Sequence, residues 1–188
     1  MIKFVGNPKL LDCCEVVTIQ EAVDYCNSID TIAVDTETTG LNHIDDKMIM
    51  LQIGDDKQQF VIDTRCVDIE PLRHILEGDK VKVLHNVKFD YKFLRQYNIR
   101  LNNVWDTMLT SQVIHCGKQM SHSLLNVLER ELDIVMDKSV RANFISKGSD
   151  EFTESEIVYG AKDVEYLVQL YNTQTITVIQ YNLIKIVE

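Results

Sequence analysis

The chain has little that would break its backbone, with seven glycines and two prolines among 188 residues. No proline-rich linker, low-complexity tract or internal repeat divides it. With 45% hydrophobic residues, that length can bury one core well and two poorly, so a single domain over residues 1–188 is expected. Runs of about 18 apolar residues are also missing, and the N-terminal "MIKFVGNPKL" lacks the long apolar centre of a signal peptide. These absences predict a soluble, cytoplasmic protein with no membrane partner. Cysteine is sparse and odd in number: Cys13, Cys14, Cys26, Cys66 and Cys116 follow no zinc-ribbon spacing, and cytosolic thiols stay reduced. They read as small packed side chains.

Basic residues are scarce as well. Nineteen Lys and Arg face 29 Asp and Glu, a formal charge of −10. That excludes a protein whose affinity rests on a broad phosphate-gripping surface, since such binding needs Lys and Arg to displace counterions. A nucleic-acid enzyme remains open if divalent cations neutralise local carboxylates and only a few nucleotides are held. Intrinsic binding would then be weak and salt-sensitive, with a partner or neighbouring domain supplying affinity.

Short β-branched runs predict strands at 31–35 ("TIAVD"), 47–54, 58–63 and 80–86. "GDDK" between the second and third suits a hairpin. Helical periodicity covers 18–28, 70–78, 87–98, 105–115, 121–132 and 153–174, and Thr153 with Glu156 forms a capping-box pattern at the start of the last. A three-stranded antiparallel meander, followed by alternating strands and helices, predicts an α/β mixed sheet flanked by helices. Residues 173–188 stay amphipathic without a cap. Either a terminal helix packs and stops, or it leads into a further domain; the missing cap favours the second.

Several acids occupy faces where apolar residues belong. Asp35 and Glu37, at the end of "TIAVD", are i, i+2 neighbours and point to one side of a strand, roughly 6.5–7 Å apart. D-x-E alone says little, because the chain repeats it at Asp68/Glu70 and Asp163/Glu165. The first copy differs in terminating a β-branched strand and preceding the turn "TTGL". In "HNVKFDYKFLRQY", Asp90 shares the inward stripe of Phe93, Leu94 and Tyr97. A carboxylate there costs several kcal/mol unless paired or metal-bound, although it also suits a helix N-terminus. Tyr159 and Asp163 are i, i+4 neighbours, and of the seven tyrosines Tyr159 is the one with an Asp four residues later.

Four converging carboxylates would raise one another's pKa values. Divalent cations remove the conflict, and an all-oxygen donor set selects Mg²⁺ or Mn²⁺ over Zn²⁺. Two such ions are the common device for in-line displacement at a phosphodiester. His115, Cys116 and His122 offer a competing zinc reading at irregular spacing, which more commonly marks helix surface and loop.

"DTETTGL", "HNVKFD" and "YGAKD" together resemble the three motifs of the DEDD exonuclease superfamily in its tyrosine branch, D-x-E, N-x-x-[F/Y]-D and Y-x-x-x-D. "LQIG…FVID", "WDT" and "DKSVRANF" are similar to segments of family A DNA polymerase proofreading domains and of the ribonuclease D group. The resemblance spans about residues 30–172 and implies a ribonuclease H-like fold and 3′→5′ hydrolysis that releases nucleoside monophosphates. It implies Asp35, Glu37, Asp90 and Asp163 as ligands of two divalent cations and Tyr159 as the group that orients water. By the same resemblance Leu41 wedges against the terminal base and Asn86 holds the strand end, while a core leucine and a helix cap stay open for these two. For Phe144 and Lys147 an ordinary hydrophobic anchor and a solvated lysine are favoured over contact with the strand.

The expected substrate is a single-stranded nucleic-acid 3′ end, DNA before RNA, in a bacterial or phage-infected cell, with a polymerase domain or subunit as partner. RNA 3′-end trimming and a catalytically idle binding module are the alternatives.

Overall fold

Short β-branched and apolar runs, buried on both faces in the central strands, build one mixed sheet in the computed structural model, which describes residues 1–7, 11–136 and 150–187. Its strands are β1 (Ile2–Val5), β2 (Glu15–Val16), β3 (Thr31–Thr38), β4 (Met48–Gly54), β5 (Gln59–Asp63), β6 (Val81–Leu84) and β7 (Val104–Asp106). They lie in the order β2-β1-β5-β4-β3-β6-β7. β3, β4 and β5 form the expected antiparallel meander. The outer strands pair parallel to their neighbours, β1 with β5 and β2, and β6 with β3 and β7. In the hairpin turn Asp55 Oδ1 accepts from the backbone N–H groups of Lys57 and Gln58, both at 2.9 Å, the Asx-type bonding that draws Asp into turns.

The helices are α1 (Ile19–Ser28), α2 (Arg73–Leu76), α3 (Val87–Leu94), α4 (Thr107–Ile114), α5 (Leu124–Leu132), α6 (Glu154–Glu165), α7 (Leu167–Gln180) and α8 (Ile184–Val187). One sheet face presents Ile32, Val34, Leu51, Ile53, Phe60 and Ile62, covered by α1, α2 and α3 through Ala22, Ile75 and Phe93. The opposite face presents Met50 and Val61 to Ile157 and Ala161 of α6, and Ala33 and Val83 to Val164 and Leu167. Among the described residues no helix is long and apolar enough to cross a membrane.

Several boundaries differ from the sequence reading. β3 runs on to Thr38, so Asp35 and Glu37 lie inside the strand; β4 pairs with it from Ala33 to Thr38, with a bulge near Glu37 and Thr38. "VWD" is strand β7 and not the start of a helix, because Lys82, Val83 and Leu84 pair with it. β1 and β2 were too short and mixed in pattern to be read as strands. Helix 70–78 resolves into a 3₁₀ turn at Glu70–Leu72 and α2, and residues 95–97 after α3 are also 3₁₀. Thr153 and Glu156 form the expected capping box, with Thr153 N–H donating to Glu156 Oε2 at 2.8 Å. The expected continuous helix 153–174 breaks at Tyr166. α6 lies over β3, β4 and β5, whereas α7 turns to pack on α4, α5, β3 and β6.

Candidate active site

Strand alternation divides the D-T-E triplet between two sides of the sheet. Asp35 and Glu37 share the face of Ala33, under α6, and Thr36 shares the face of Val34, over α3. On α6, Tyr159 and Asp163 stand one turn apart. Carboxylate oxygens of Asp35, Glu37 and Asp163 lie within 4.8 Å of one another, the metal-competent cluster among the described residues. α6 comes close to the sheet because residue 160 is glycine: a Cβ there would stand 2.7 Å from Gln52 Nε2 and 2.8 Å from Met50 Sδ. The other D-x-E copies do local work. Asp68 Oδ1 accepts from Glu70 N–H at 2.9 Å and Glu70 pairs with Arg73 at 2.6 Å, while Glu165, two positions from Asp163 on a helix, points elsewhere.

Asp90 lies outside that three-carboxylate cluster but lines the same cleft. It arrives from α3, is 2% exposed, and accepts a 2.7 Å hydrogen bond from Thr36 Oγ1. Burial pushes its pKa up to about 7; the Thr36 hydroxyl opposes the rise and the nearby Asp106 charge adds to it. The folded protein thus keeps a proton that the unfolded chain gives up near the ordinary carboxyl value. Stability from this group is complete below that value and is lost as pH rises through about 7. His85 acts with the opposite sign: burial lowers its pKa to about 4, so its contribution is complete above the usual imidazole value and is lost as pH falls through about 4. Comparing wild type with Asp90→Asn in EDTA isolates the first effect. Between about pH 5 and pH 8 the wild type should lose melting temperature relative to the variant; parallel curves would refute the assignment.

The N-terminus of α3 is capped from outside. Asp106 accepts from Asn86 N–H at 3.1 Å and from Val87 N–H at 3.0 Å. The same carboxylate accepts from Met108 and Leu109 N–H at the start of α4, at 2.9 and 3.2 Å. Asn86 sits at the N-cap position with φ 69°, as the helix-cap reading placed it, but its side chain makes no capping hydrogen bond. Asparagine tolerates this left-handed backbone better than most residues. Its amide is left to line the cleft.

The cleft has a volume of about 410 Å³ and is lined by Asp35, Glu37, Asp90, Tyr159, Asp163, Leu41 and Asn86. These seven candidate residues therefore meet at one place, at the C-terminal ends of the parallel strands, where α/β sheets present ligands. Leu41 is 79% exposed, which removes the core-leucine reading. The cleft also contains residues the sequence did not mark, among them His85, Phe89, Met108, Leu124 and Met136. His85 and Phe89 were within sight, inside "HNVKFD"; the others are brought in by α4, α5 and the segment after α5. Phe144 and Lys147 lie outside the described residues.

The zinc alternative finds no geometry. Arg130 Nε donates to His115 Nε2 at 3.2 Å, His122 Nδ1 is 3.1 Å from Ser111 Oγ, and Cys116 is exposed.

A family model described as 3′-5′ exonuclease matches residues 14–175. The chain belongs to this exonuclease family. The chain is 32% identical over 154 residues to DNA polymerase I of Aquifex aeolicus, covering 81% of this chain and 25% of the polymerase. It is 29% identical over 143 residues to ribonuclease D of Pseudomonas paraeruginosa, covering 74% of this chain and 37% of that enzyme. The chain thus spans well under half the length of either relative. Its ribonuclease H-like fold is similar to that of Brucella melitensis NrnC with bound Mg²⁺, with a TM-score of 0.77 at 24% identity over 98% of this chain and 85% of that one.

Proposed function

We propose that the exonuclease hydrolyses the terminal phosphodiester at the 3′ end of single-stranded or frayed DNA, releasing nucleoside monophosphates, with Asp35, Glu37, Asp90 and Asp163 holding two divalent cations, Mg²⁺ or Mn²⁺. The observation that carries this reading is the meeting of three carboxylates within 4.8 Å in a cleft shared by Asp90 and Tyr159. The donor set fits such ions, being oxygen only. The one described imidazole lining the cleft, His85, has Nδ1 2.9 Å from Thr107 Oγ1 and Nε2 3.0 Å from the His122 carbonyl.

When bound, the cations supply an activated water and stabilise the leaving 3′ oxygen. The protein's own groups position the reactants. Tyr159, one turn before Asp163, holds the attacking water by its hydroxyl. Leu41, exposed at the cleft edge, packs against the terminal base, and Asn86 offers its amide to the strand end. Hydrolysis forms a bond from the water oxygen to phosphorus and breaks the bond to the 3′ oxygen, which leaves as a hydroxyl.

DNA is the first choice because "DTETTGL" and the segment through "YGAKDVEYL" look closer to polymerase domains, and proofreading beside a polymerase domain or subunit in the cytoplasm is the biological setting that follows. The ribonuclease D similarity supports RNA trimming as the second reading. Digestion of 5′-labelled single-stranded DNA and RNA with Mg²⁺ or Mn²⁺ tests both. A 3′-shortening ladder faster on DNA is expected; a faster ladder on RNA reverses the choice, and no ladder on either favours an idle binding module. Tyr159→Phe should slow turnover about 10²-fold and leave Mn²⁺ affinity intact; loss of Mn²⁺ binding would contradict its role.

A further inference from the structure

Gln52 is fully buried, at 0% exposure, and neither Oε1 nor Nε2 has a hydrogen-bond partner among the described residues. Leaving a buried polar group unpaired costs about 1–3 kcal/mol, and an amide has two such ends. A leucine or methionine would fill the position without that cost. The surroundings give the amide a use. In the β3–β4 register Gln52 stands directly opposite Asp35, so both side chains leave the same face of the sheet. Opposed residues on antiparallel strands have Cβ atoms about 4.5–5.5 Å apart, a gap that a glutamine side chain crosses. Leu51 and Ile53, on either side, belong to the opposite face and its core.

The space for the amide is made by Gly160. A methyl on that residue would meet Gln52 Nε2 at 2.7 Å, and Gly160 lies between Tyr159 and Asp163 in the chain. The buried amide is therefore enclosed by β4, by the strand that carries Asp35 and by the helix that carries Asp163. It does not line the cleft itself, so it touches neither substrate nor solvent there.

We propose that Gln52 is a positioning residue for Asp35: its amide N–H, unpartnered among the described residues, would donate to an Asp35 carboxylate oxygen once cations are bound and so orient that ligand. This rests on the divalent-metal reading of the cleft. Carboxylates that bind metals are themselves held by outer hydrogen bonds, and loss of such a bond typically weakens metal affinity or activity about 10–100-fold.

The test compares wild type, Gln52→Leu, Gln52→Met and Asp35→Ala in three measurements: melting temperature in EDTA, Mn²⁺ affinity from titration followed by electron paramagnetic resonance, and kcat and KM on a labelled oligonucleotide. In EDTA the Leu and Met variants should melt at or above the wild-type temperature, because the unpaired amide is gone. Their Kd for Mn²⁺ should rise about 10-fold or more, and kcat should fall with KM little changed. Met, unbranched and adaptable, keeps the test valid if Leu packs badly. Unchanged Mn²⁺ affinity in folded variants overturns the proposal. So does a lower melting temperature of both variants in EDTA, which would show that the amide already has a stabilising partner. Failure of the wild type itself to bind Mn²⁺, or Asp35→Ala binding as tightly as wild type, removes the metal reading and the proposal with it.

Discussion

Asp163→Ala should lower the rate of 3′-end digestion by about 10³-fold or more, the loss of several kcal/mol of metal-supplied charge stabilisation. Asp163 is one of three carboxylates within 4.8 Å of one another and the one supplied by α6. In the proposed metal site, removing it would take away one hard oxygen ligand and leave Asp35, Glu37 and Asp90 to hold the ions without α6. The fold should survive. The core residues of α6, Ile157, Ala161 and Val164, are buried independently of Asp163, so far-ultraviolet circular dichroism should match wild type. Asp35→Ala should be equally inactive. Activity within 10-fold of wild type in either folded variant would sink the metal assignment, whereas inactivity with lost structure would call for Asp163→Asn in its place.

The largest effect on stability is expected at a residue outside the carboxylate cluster. Asp106 accepts from four backbone N–H groups, two at the start of α3 and two at the start of α4. Those groups have no partners within their own helices. One cap is worth about 1 kcal/mol and bonds to a charged acceptor rather more, so Asp106→Ala should cost about 3 kcal/mol. For a chain of this length that is a fall of roughly 6–12 °C in melting temperature. Asp106→Asn keeps one oxygen acceptor but turns an amide donor toward other donors, and should recover less than half of the loss. Because Asn86 is the N-cap of α3 and Asp90 lies on it, the Ala variant should also lose affinity for the strand end. A melting temperature within 2 °C of wild type, below the shift that about 1 kcal/mol produces at this size, would show that water replaces the carboxylate at both helices.

Much of the fold follows from local pattern. The meander β3-β4-β5 was legible from β-branched runs and the "GDDK" turn, and the start of α6 from the Thr153–Glu156 box, because those signals are carried by adjacent residues. The short outer strands were not legible. β1, β2 and β7 become strands through the neighbours they pair with, and "VWD" reads as well as a helix start until β6 lies beside it. The break at Tyr166 was invisible for a related reason, since apolar spacing continues across it while the surfaces to be covered change from β4 and β5 to α4 and α5.

The candidate site shows the same division. The sequence by itself determined which acids stand out, Asp35, Glu37, Asp90 and Asp163, because each interrupts an apolar periodicity that two or 3.6 residues per repeat makes visible. It also determined the partnership of Tyr159 with Asp163, which is one turn of helix. Tertiary structure decided that Asp35, Glu37 and Asp163 come together under α6 while Asp90 reaches the cleft from the other face and bonds to Thr36. It decided too that Asp106 holds the N-terminus of α3 and leaves Asn86 to the cleft, and that a glutamine with no partner of its own stands opposite Asp35. Periodicity assigns a side chain to a face of its own element; only the packing of strand against strand and helix against sheet brings those faces to one point.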